Sequence, residues 1–352
     1  MNVVSIAVSG ASGVVGQRLL PVLAADPDVS RLVGLDMRPP RRRVRNLEFH
    51  LVDVARSELK PLLEGMDVLV HLATVVDPIV DEGLMARVNV DGTRRVLDAA
   101  VGTRKVVRVS SAAVYGAWAN NAVPLTEDSP LRPNPGFSPA VQAAEVERLL
   151  AEWGEDHPAV TVTTLRSAPV LGPGAERLPS RLLLGRPPLR VRGARPPVQA
   201  VHVDDLVAAL ALVVLGDHPG TFNVASSGWL THDETQALLG APSLPPWPAE
   251  LLERVLALTW KVGLGDVPPG VVPYLRYPWV IANDRLRALG WTDRHGNEAA
   301  ILDGLDSLGP PRSALPLLAV GAGALAGAGV TAWWLRRRWR RGGWRATRPT
   351  PA

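Results

Sequence analysis

An apolar run, Val3 to Val8, breaks into Ser9-Gly10-Ala11-Ser12-Gly13-Val14-Val15-Gly16 and then into a helix-compatible stretch, Gln17 to Ala25. A strand, a glycine-rich turn and a helix start, in that order, constrain this chain more than any other feature. The spacing Gly10-x-x-Gly13-x-x-Gly16 suits a backbone that approaches a phosphate closely. The first N–H groups of the helix point at the anion, and a Cβ on the turn would keep it away. Gly10, Ser12, Gly13, Val14, Val15 and Gly16 are therefore the expected contacts of a dinucleotide.

A second apolar run, Leu32 to Leu35, ends in Asp36, 20 residues after Gly16. That is the distance at which a carboxylate accepts hydrogen bonds from the adenosine ribose hydroxyls. An acidic residue there disfavours a 2′-phosphate, so NAD is the expected cofactor. Arg38 and Arg41 to Arg43 follow closely and leave NADP open, because an arginine can accept that phosphate.

Apolar runs then alternate with helical patterns. Candidate strands are Val3–Val8, Leu32–Asp36, Leu47–Asp53, Val68–Ala73, Val106–Ser111 and Val160–Arg166, with helices at Met85–Ala100 and Val141–Trp153 among those between them. This alternation predicts an α/β fold, a Rossmann-type doubly wound parallel sheet with helices on both faces. Residues 1–166 would form the dinucleotide-binding domain, its sheet completed by later segments. After Ser167 prolines become dense and Trp229, Trp247, Trp260, Trp279 and Trp291 follow, which predicts a smaller substrate lobe over 167–307. Residues 308–313 read as a linker.

The 352 residues contain no cysteine, which excludes disulfides and thiolate metal sites, and no metal is expected. Seven arginines and no acid lie in 336–352, so the formal net charge of +4 turns negative over the rest of the chain. The basicity belongs to a tail, and nucleic acid is not an expected partner. Before that tail, Ala314 to Leu335 carry no charged residue and are long enough to span a bilayer as one helix. Trp333, Trp334 and Trp339 stand among the arginines like an interfacial anchor. The N-terminus runs directly into a strand with no signal peptide. The expected location is the cytoplasmic face of a membrane, although an arginine tail also prefers that side and one span cannot satisfy both.

Further motifs occur in a fixed order: Asp53 after the third strand, His71-Leu72-Ala73, Asn89-Val90-Asp91-Gly92-Thr93, Ser110-Ser111-Ala112-Ala113-Val114-Tyr115-Gly116, Leu165-Arg166 to Gly172-Pro173, His202-Val203-Asp204-Asp205, Phe222-Asn223-Val224 and Leu286 to Gly290-Trp291. With the glycine turn, this set resembles the extended short-chain dehydrogenase/reductases of the NAD-dependent epimerase/dehydratase family, over about residues 3–300. The resemblance implies that Asp53 and Val54 lie by the adenine, that Leu72 and Ala73 line the cofactor cleft, and that Ser111 hydrogen-bonds a substrate oxygen. It also implies a homodimer.

The resemblance further implies a Tyr-x-x-x-Lys pair on the next helix, the tyrosine exchanging a proton and the lysine lowering its pKa and holding the nicotinamide ribose. Aligned on Ala144-Glu145-Val146-Glu147-Arg148, the two positions hold Pro139 and Ala143. Two functions are expected from this. The first is a membrane-associated NAD-binding protein, catalytically impaired, acting as sensor or scaffold. The alternative is an active oxidoreductase or epimerase on a nucleotide sugar, sterol-like alcohol or other carbonyl substrate, with a non-standard acid or base such as Ser111.

Overall fold

The computed structural model describes residues 3–308, apart from 176, 185–187 and 241–244. Seven parallel strands form one sheet: β1 (Val4–Ser9), β2 (Val29–Asp36), β3 (Leu47–Leu51), β4 (Val68–His71), β5 (Lys105–Ser111), β6 (Thr161–Ser167) and, far later in the chain, Gly220–Val224. Their spatial order is β3-β2-β1-β4-β5-β6 followed by the Gly220–Val224 strand. Strand order reverses between β1 and β4. In an open α/β sheet a ligand sits in the crevice at such a point, beyond the carboxyl ends of the strands.

Alternation within each strand builds two cores, one per face. Ile6 and Val8 of β1 join Val68 and Val70 of β4 on one face, against Leu19, Leu20 and Leu23 of α1 (Val14–Ala25). Ala7, Leu69 and Val106 face the other way. They meet Val96 and Leu97 of α2 (Gly92–Ala99) and Leu150 and Trp153 of α3 (Ser138–Asp156). Leu20 is fully buried, and truncating such a side chain to alanine costs about 2–5 kcal/mol.

The segment after residue 166 returns to the sheet and also builds an apolar cluster of its own. α4 (Val203–Leu215) belongs to the same core as α1, and Phe222 and Val224 close the sheet edge. A separate apolar cluster joins Leu252 and Leu256 of the helix Ala249–Lys261 to Val271, Val272 and Tyr274, and it rests on Phe137 and Ala140 at the start of α3. Val170–Leu171 and Val201–His202 form a separate two-stranded parallel sheet.

The helix expected at Met85–Ala100 is divided. An α-turn at Glu82–Ala86 passes into a π-helical turn at Arg87–Asp91 before α2 begins. Asn89 explains the wider turn, since its side chain is claimed by the chain after β4. Its Oδ1 accepts from the Val75 amide at 2.7 Å and from Thr74 Oγ1 at 3.1 Å. Inserted turns of this kind concentrate at functional sites. Among the described residues no helix is long and apolar enough to cross a membrane. The apolar segment 314–335 and the arginine tail 336–352 lie outside the described residues.

Candidate functional site: a cleft at the carboxyl edge of the sheet

Each glycine of the turn answers a different demand. Gly10 has φ +73°, and a Cβ on it would stand 2.6 Å from the Ala73 nitrogen and the Leu72 carbonyl carbon. It lets the β1–α1 turn lie against the end of β4. A Cβ on Gly16 would meet the Gly10 carbonyl oxygen at 2.5 Å, so this residue seats the first turn of α1 on the chain before it. Gly13 is different, since a Cβ there would find only the Gly10 oxygen, at 3.1 Å. The space beside Gly13 is open, and no side chain caps α1. An uncapped helix start leaves its first N–H groups for an anion, and the helix dipole favours negative charge there.

Asp36 stands at the carboxyl end of β2. Its Oδ2 accepts from the Ser12 amide at 3.0 Å and its Oδ1 from the Arg38 amide at 3.2 Å, while Ser12 Oγ donates to the Arg38 carbonyl at 2.5 Å. Asp36 thus ties the glycine turn to the end of the neighbouring strand. Asp53 begins the turn after β3 and accepts from the Ala55 amide. Val54 is buried, its Cγ2 3.1 Å from the Cβ position that Gly92 lacks.

Gly10, Gly13, Val14, Val15 and Gly16 line a single cleft together with Leu72 and Ser111, with a cavity volume of about 370 Å³. Ser12, Asp36, Asp53, Val54 and Ala73 are not part of its wall. Pro139 and Ala143 are, and with four-residue spacing on α3 they share one face. Pro139 lies in the first turn of α3, where the backbone N–H has no intrahelical partner, so a proline costs no hydrogen bond there. Ser111 accepts from the Ala113 amide at 3.2 Å, capping the short helical turn Ala112–Tyr115.

No tyrosine stands on α3, and neither Tyr115 nor Tyr274 offers a free hydroxyl to the cleft. Tyr115 faces the opposite side, its hydroxyl donating to Asn223 Oδ1 at 2.8 Å and accepting from Arg166 Nη1 at 2.8 Å. Tyr274 does reach the cleft, but its hydroxyl donates to the Ala113 carbonyl at 2.9 Å and burial pushes its pKa well up. Nor does a lysine line the cleft. Lys105 lies at the far end of β5, its ammonium on the Val214 and Gly216 carbonyls.

Below the cleft, a row of polar residues crosses the sheet in register: Ser9 of β1, His71 of β4 and Arg108 of β5. His71 Nε2 meets Thr93 Oγ1 at 2.9 Å and Nδ1 meets Ser9 Oγ at 2.7 Å. Thr93 spends its own proton on the Asn89 carbonyl at 2.6 Å. His71 Nε2 must therefore carry the ring proton, and Ser9 donates to Nδ1. Burial pushes the imidazole pKa down to about 3, and the nearby Arg108 charge adds to the shift.

Glu147 of α3 holds a buried ion pair with Arg166 of β6. Its Oε2 accepts from Arg166 Nη2 at 2.7 Å and Nε at 2.9 Å, and its Oε1 accepts from Ser110 Oγ at 2.5 Å. Burial opposes the Arg166 charge, but Glu147 outweighs it and holds the guanidinium pKa up. The Arg166 guanidinium also lies 4.9 Å from the Tyr115 ring centroid.

Beyond the glycine turn the wall becomes apolar, with Val75, Leu182, Leu189, Val271, Leu275 and Trp279. Of the tryptophans after residue 167, Trp279 reaches this wall. Trp291 is buried instead, its indole N–H on the Asp205 carbonyl at 3.1 Å. Polar groups on this side include Arg177, Arg190 and His232. Arg177 is held by Asp77 at 3.1 Å. Arg108 also lines the cleft, at a position that the sequence motifs leave unmarked. A charge inside the apolar stretch Val106-Val107-Arg108-Val109 was its signal, since a central parallel strand normally reads as unbroken apolar residues.

The sequence model of the NAD dependent epimerase/dehydratase family matches residues 6–225. A curated dTDP-glucose 4,6-dehydratase of Streptomyces griseus is 28% identical over 258 residues, covering 66% of this chain and 76% of that protein. An uncharacterised protein of Mycobacterium tuberculosis is 28% identical over 300 residues, covering 80% of this chain and 77% of the other. Among solved structures, the Thermus thermophilus UDP-glucose 4-epimerase complex with NAD superposes with a TM-score of 0.66 at 22% identity, covering 86% of this chain and 98% of that one. MoeE5 in complex with UDP-glucuronic acid and NAD gives 0.68 at 23% identity, with the same coverage. The chain belongs to the NAD-dependent epimerase/dehydratase family, and the expected Rossmann-type parallel sheet is the one observed.

Proposed function

We propose that this member of the family binds NAD in the cleft at the β1–β4 switch point but has lost the family's proton-transfer pair, and that it serves as a membrane-anchored, dinucleotide-responsive sensor or scaffold. The open space beside Gly13, the uncapped start of α1 and the placement of Asp36 fit the pyrophosphate and one ribose of a dinucleotide. NAD supplies hydride transfer when bound. The protein's part in such chemistry is to hold a proton where the substrate oxygen gains or loses it.

The single observation that carries the proposal is the wall of α3. Pro139 and Ala143 both face the cleft where a proton donor and its cation would stand, and neither side chain has a proton to exchange. General acid–base groups contribute about 10²–10⁴-fold to rate. The deciding experiment is titration with NAD beside a turnover assay with UDP-glucose and dTDP-glucose. Binding without turnover is the expected result. Turnover at rates of ordinary enzymes, about 1–10³ s⁻¹, would overturn the impairment.

A second reading is favoured by the size and lining of the cleft. Its wall extends well past the glycine turn along apolar side chains. In this reading the chain is an active oxidoreductase or epimerase on a nucleotide sugar, as in the related proteins, or on a more apolar alcohol or carbonyl compound. Ser111 would be the group on the substrate oxygen. Membrane anchoring through 314–335 is supported by the uncharged stretch and the arginines after it. Release of the chain from membranes by carbonate alone would exclude an integral anchor.

A further inference from the structure

Arg108 is a buried cation with a missing partner. It is 5% exposed, and its Nη1 is sealed from solvent with no hydrogen-bond acceptor. Glu147 and His71, two groups near enough to compensate it, are engaged elsewhere. Glu147 gives its carboxylate to Arg166 and Ser110. His71 pairs with Arg108 in register but is neutral, with both ring nitrogens used by Ser9 and Thr93. Burial pulls the Arg108 pKa down to about 10, and the attraction of Glu147 does not make up the loss. An unpaired buried donor is destabilising, the more so when it is charged. Such a group is retained where something else completes it.

The cleft is where completion can come from, because Arg108 lines it together with Ala143, Ser111 and Leu72. Topology says which part of a dinucleotide lies there. The glycine turn follows β1, and Asp36 follows β2 on one side of it. The other half of the dinucleotide must extend the opposite way, over β4 and β5. Ala143 shares that wall and brings only a methyl group to it.

Resting on the NAD reading above, we infer that Arg108 is a cofactor-binding residue. Its guanidinium takes an oxygen acceptor on the nicotinamide half of the dinucleotide, from the floor of the cleft rather than from α3. The cation is supplied by a strand, and the small side chain at Ala143 makes room for it.

The test is calorimetric titration of the full chain with NAD and with ADP, which lacks the nicotinamide half, together with the melting temperature of the unliganded protein. Arg108→Met should weaken NAD binding by about tenfold or more, the equivalent of one lost hydrogen bond to a charged group. ADP affinity should stay the same. The unliganded melting temperature should hold or rise, because an uncompensated buried charge has been removed. Arg108→Lys should recover part of the NAD affinity. Unchanged NAD binding in Arg108→Met, an equal loss for ADP, a collapse in melting temperature, or no recovery in Arg108→Lys would each overturn the inference. If the natural chain binds neither NAD nor ADP, the NAD reading itself fails, and that outcome is visible before any variant is made.

Discussion

Glu147 Oε2 bridges Nε and Nη2 of Arg166 at 2.9 and 2.7 Å, and this pair divides the charges beneath the cleft unequally. One arginine receives the carboxylate in a two-point contact. The other, Arg108, lies near enough to feel it but hydrogen-bonds none of it. Fork-to-carboxylate geometry makes the first contact strong and directional. The second arginine is left for a ligand.

Breaking that pair should be costly. Glu147→Gln leaves Arg166 buried without its counter-charge, and loss of one partner of a buried pair costs about 3–5 kcal/mol. Denaturant titration of Glu147→Gln against the natural chain measures it. A loss below 1 kcal/mol would mean that the site is more hydrated than its burial indicates.

Gly10→Ala and Gly13→Ala should part ways. At Gly10 the new Cβ meets backbone at 2.6 Å in a left-handed conformation, so the fold should lose several degrees of melting temperature. At Gly13 the nearest atom is 3.1 Å away. That variant should melt close to the natural chain while losing about tenfold or more in NAD affinity, because its methyl enters the phosphate space. Thermal melts and calorimetry on the two proteins separate fold from cradle.

Asp36→Ala should narrow the preference for NAD over NADP. The carboxylate that would accept ribose hydroxyls is gone, and Arg38 and Arg41 remain beside it. The ratio of the two dissociation constants is the measurement. A ratio unchanged within twofold would remove Asp36 from the ribose site.

Installing a tyrosine and a lysine on α3 tests the proposed impairment directly. Pro139→Tyr combined with Ala143→Lys should raise hydride transfer about 10²-fold or more over the natural chain, read as NADH absorbance with UDP-glucose as probe. Equal rates in both proteins would show that the chemistry is limited elsewhere. In the second reading, Ser111→Ala should depress the same rate.

His71 sets a pH limit on stability. Its folded pKa is about 3 against an ordinary 6.5, so the unfolded chain takes up a proton that the folded one refuses. The stability this neutral imidazole secures is complete above pH 6.5. It is lost as pH falls from 6.5 toward 3, by about 1.4 kcal/mol per pH unit. Denaturation series at pH 7, 6, 5 and 4 should show that slope, and His71→Gln should flatten it.

Part of the cleft wall was legible in the sequence because its signals are local. The glycine turn and the residues at Pro139 and Ala143 are read from short stretches whose neighbours along the chain are also neighbours in space, and Asp36, 24 residues from the Ser12 amide it accepts from, was found by its fixed distance from the turn. Glu147 was visible only as a landmark for aligning α3, and Arg166 only as part of a motif. Their bond joins residues 19 apart, across a helix and a strand. The division of Met85–Ala100 was hidden as well, since the amide that claims Asn89 belongs to Val75, on the far side of the chain reversal.

By itself, then, the sequence determined the strand–turn–helix that receives a dinucleotide, the alternation that makes a parallel sheet, and the absence of a tyrosine and a lysine on α3. Each follows from backbone geometry or side-chain identity within a few residues. The tertiary structure alone decided that Gly220–Val224 closes the sheet and that His71 stays neutral. It also decided which of two buried arginines is neutralised by Glu147. Those outcomes depend on burial and on charges brought together from distant strands and helices, where the loss of water makes each missing partner count.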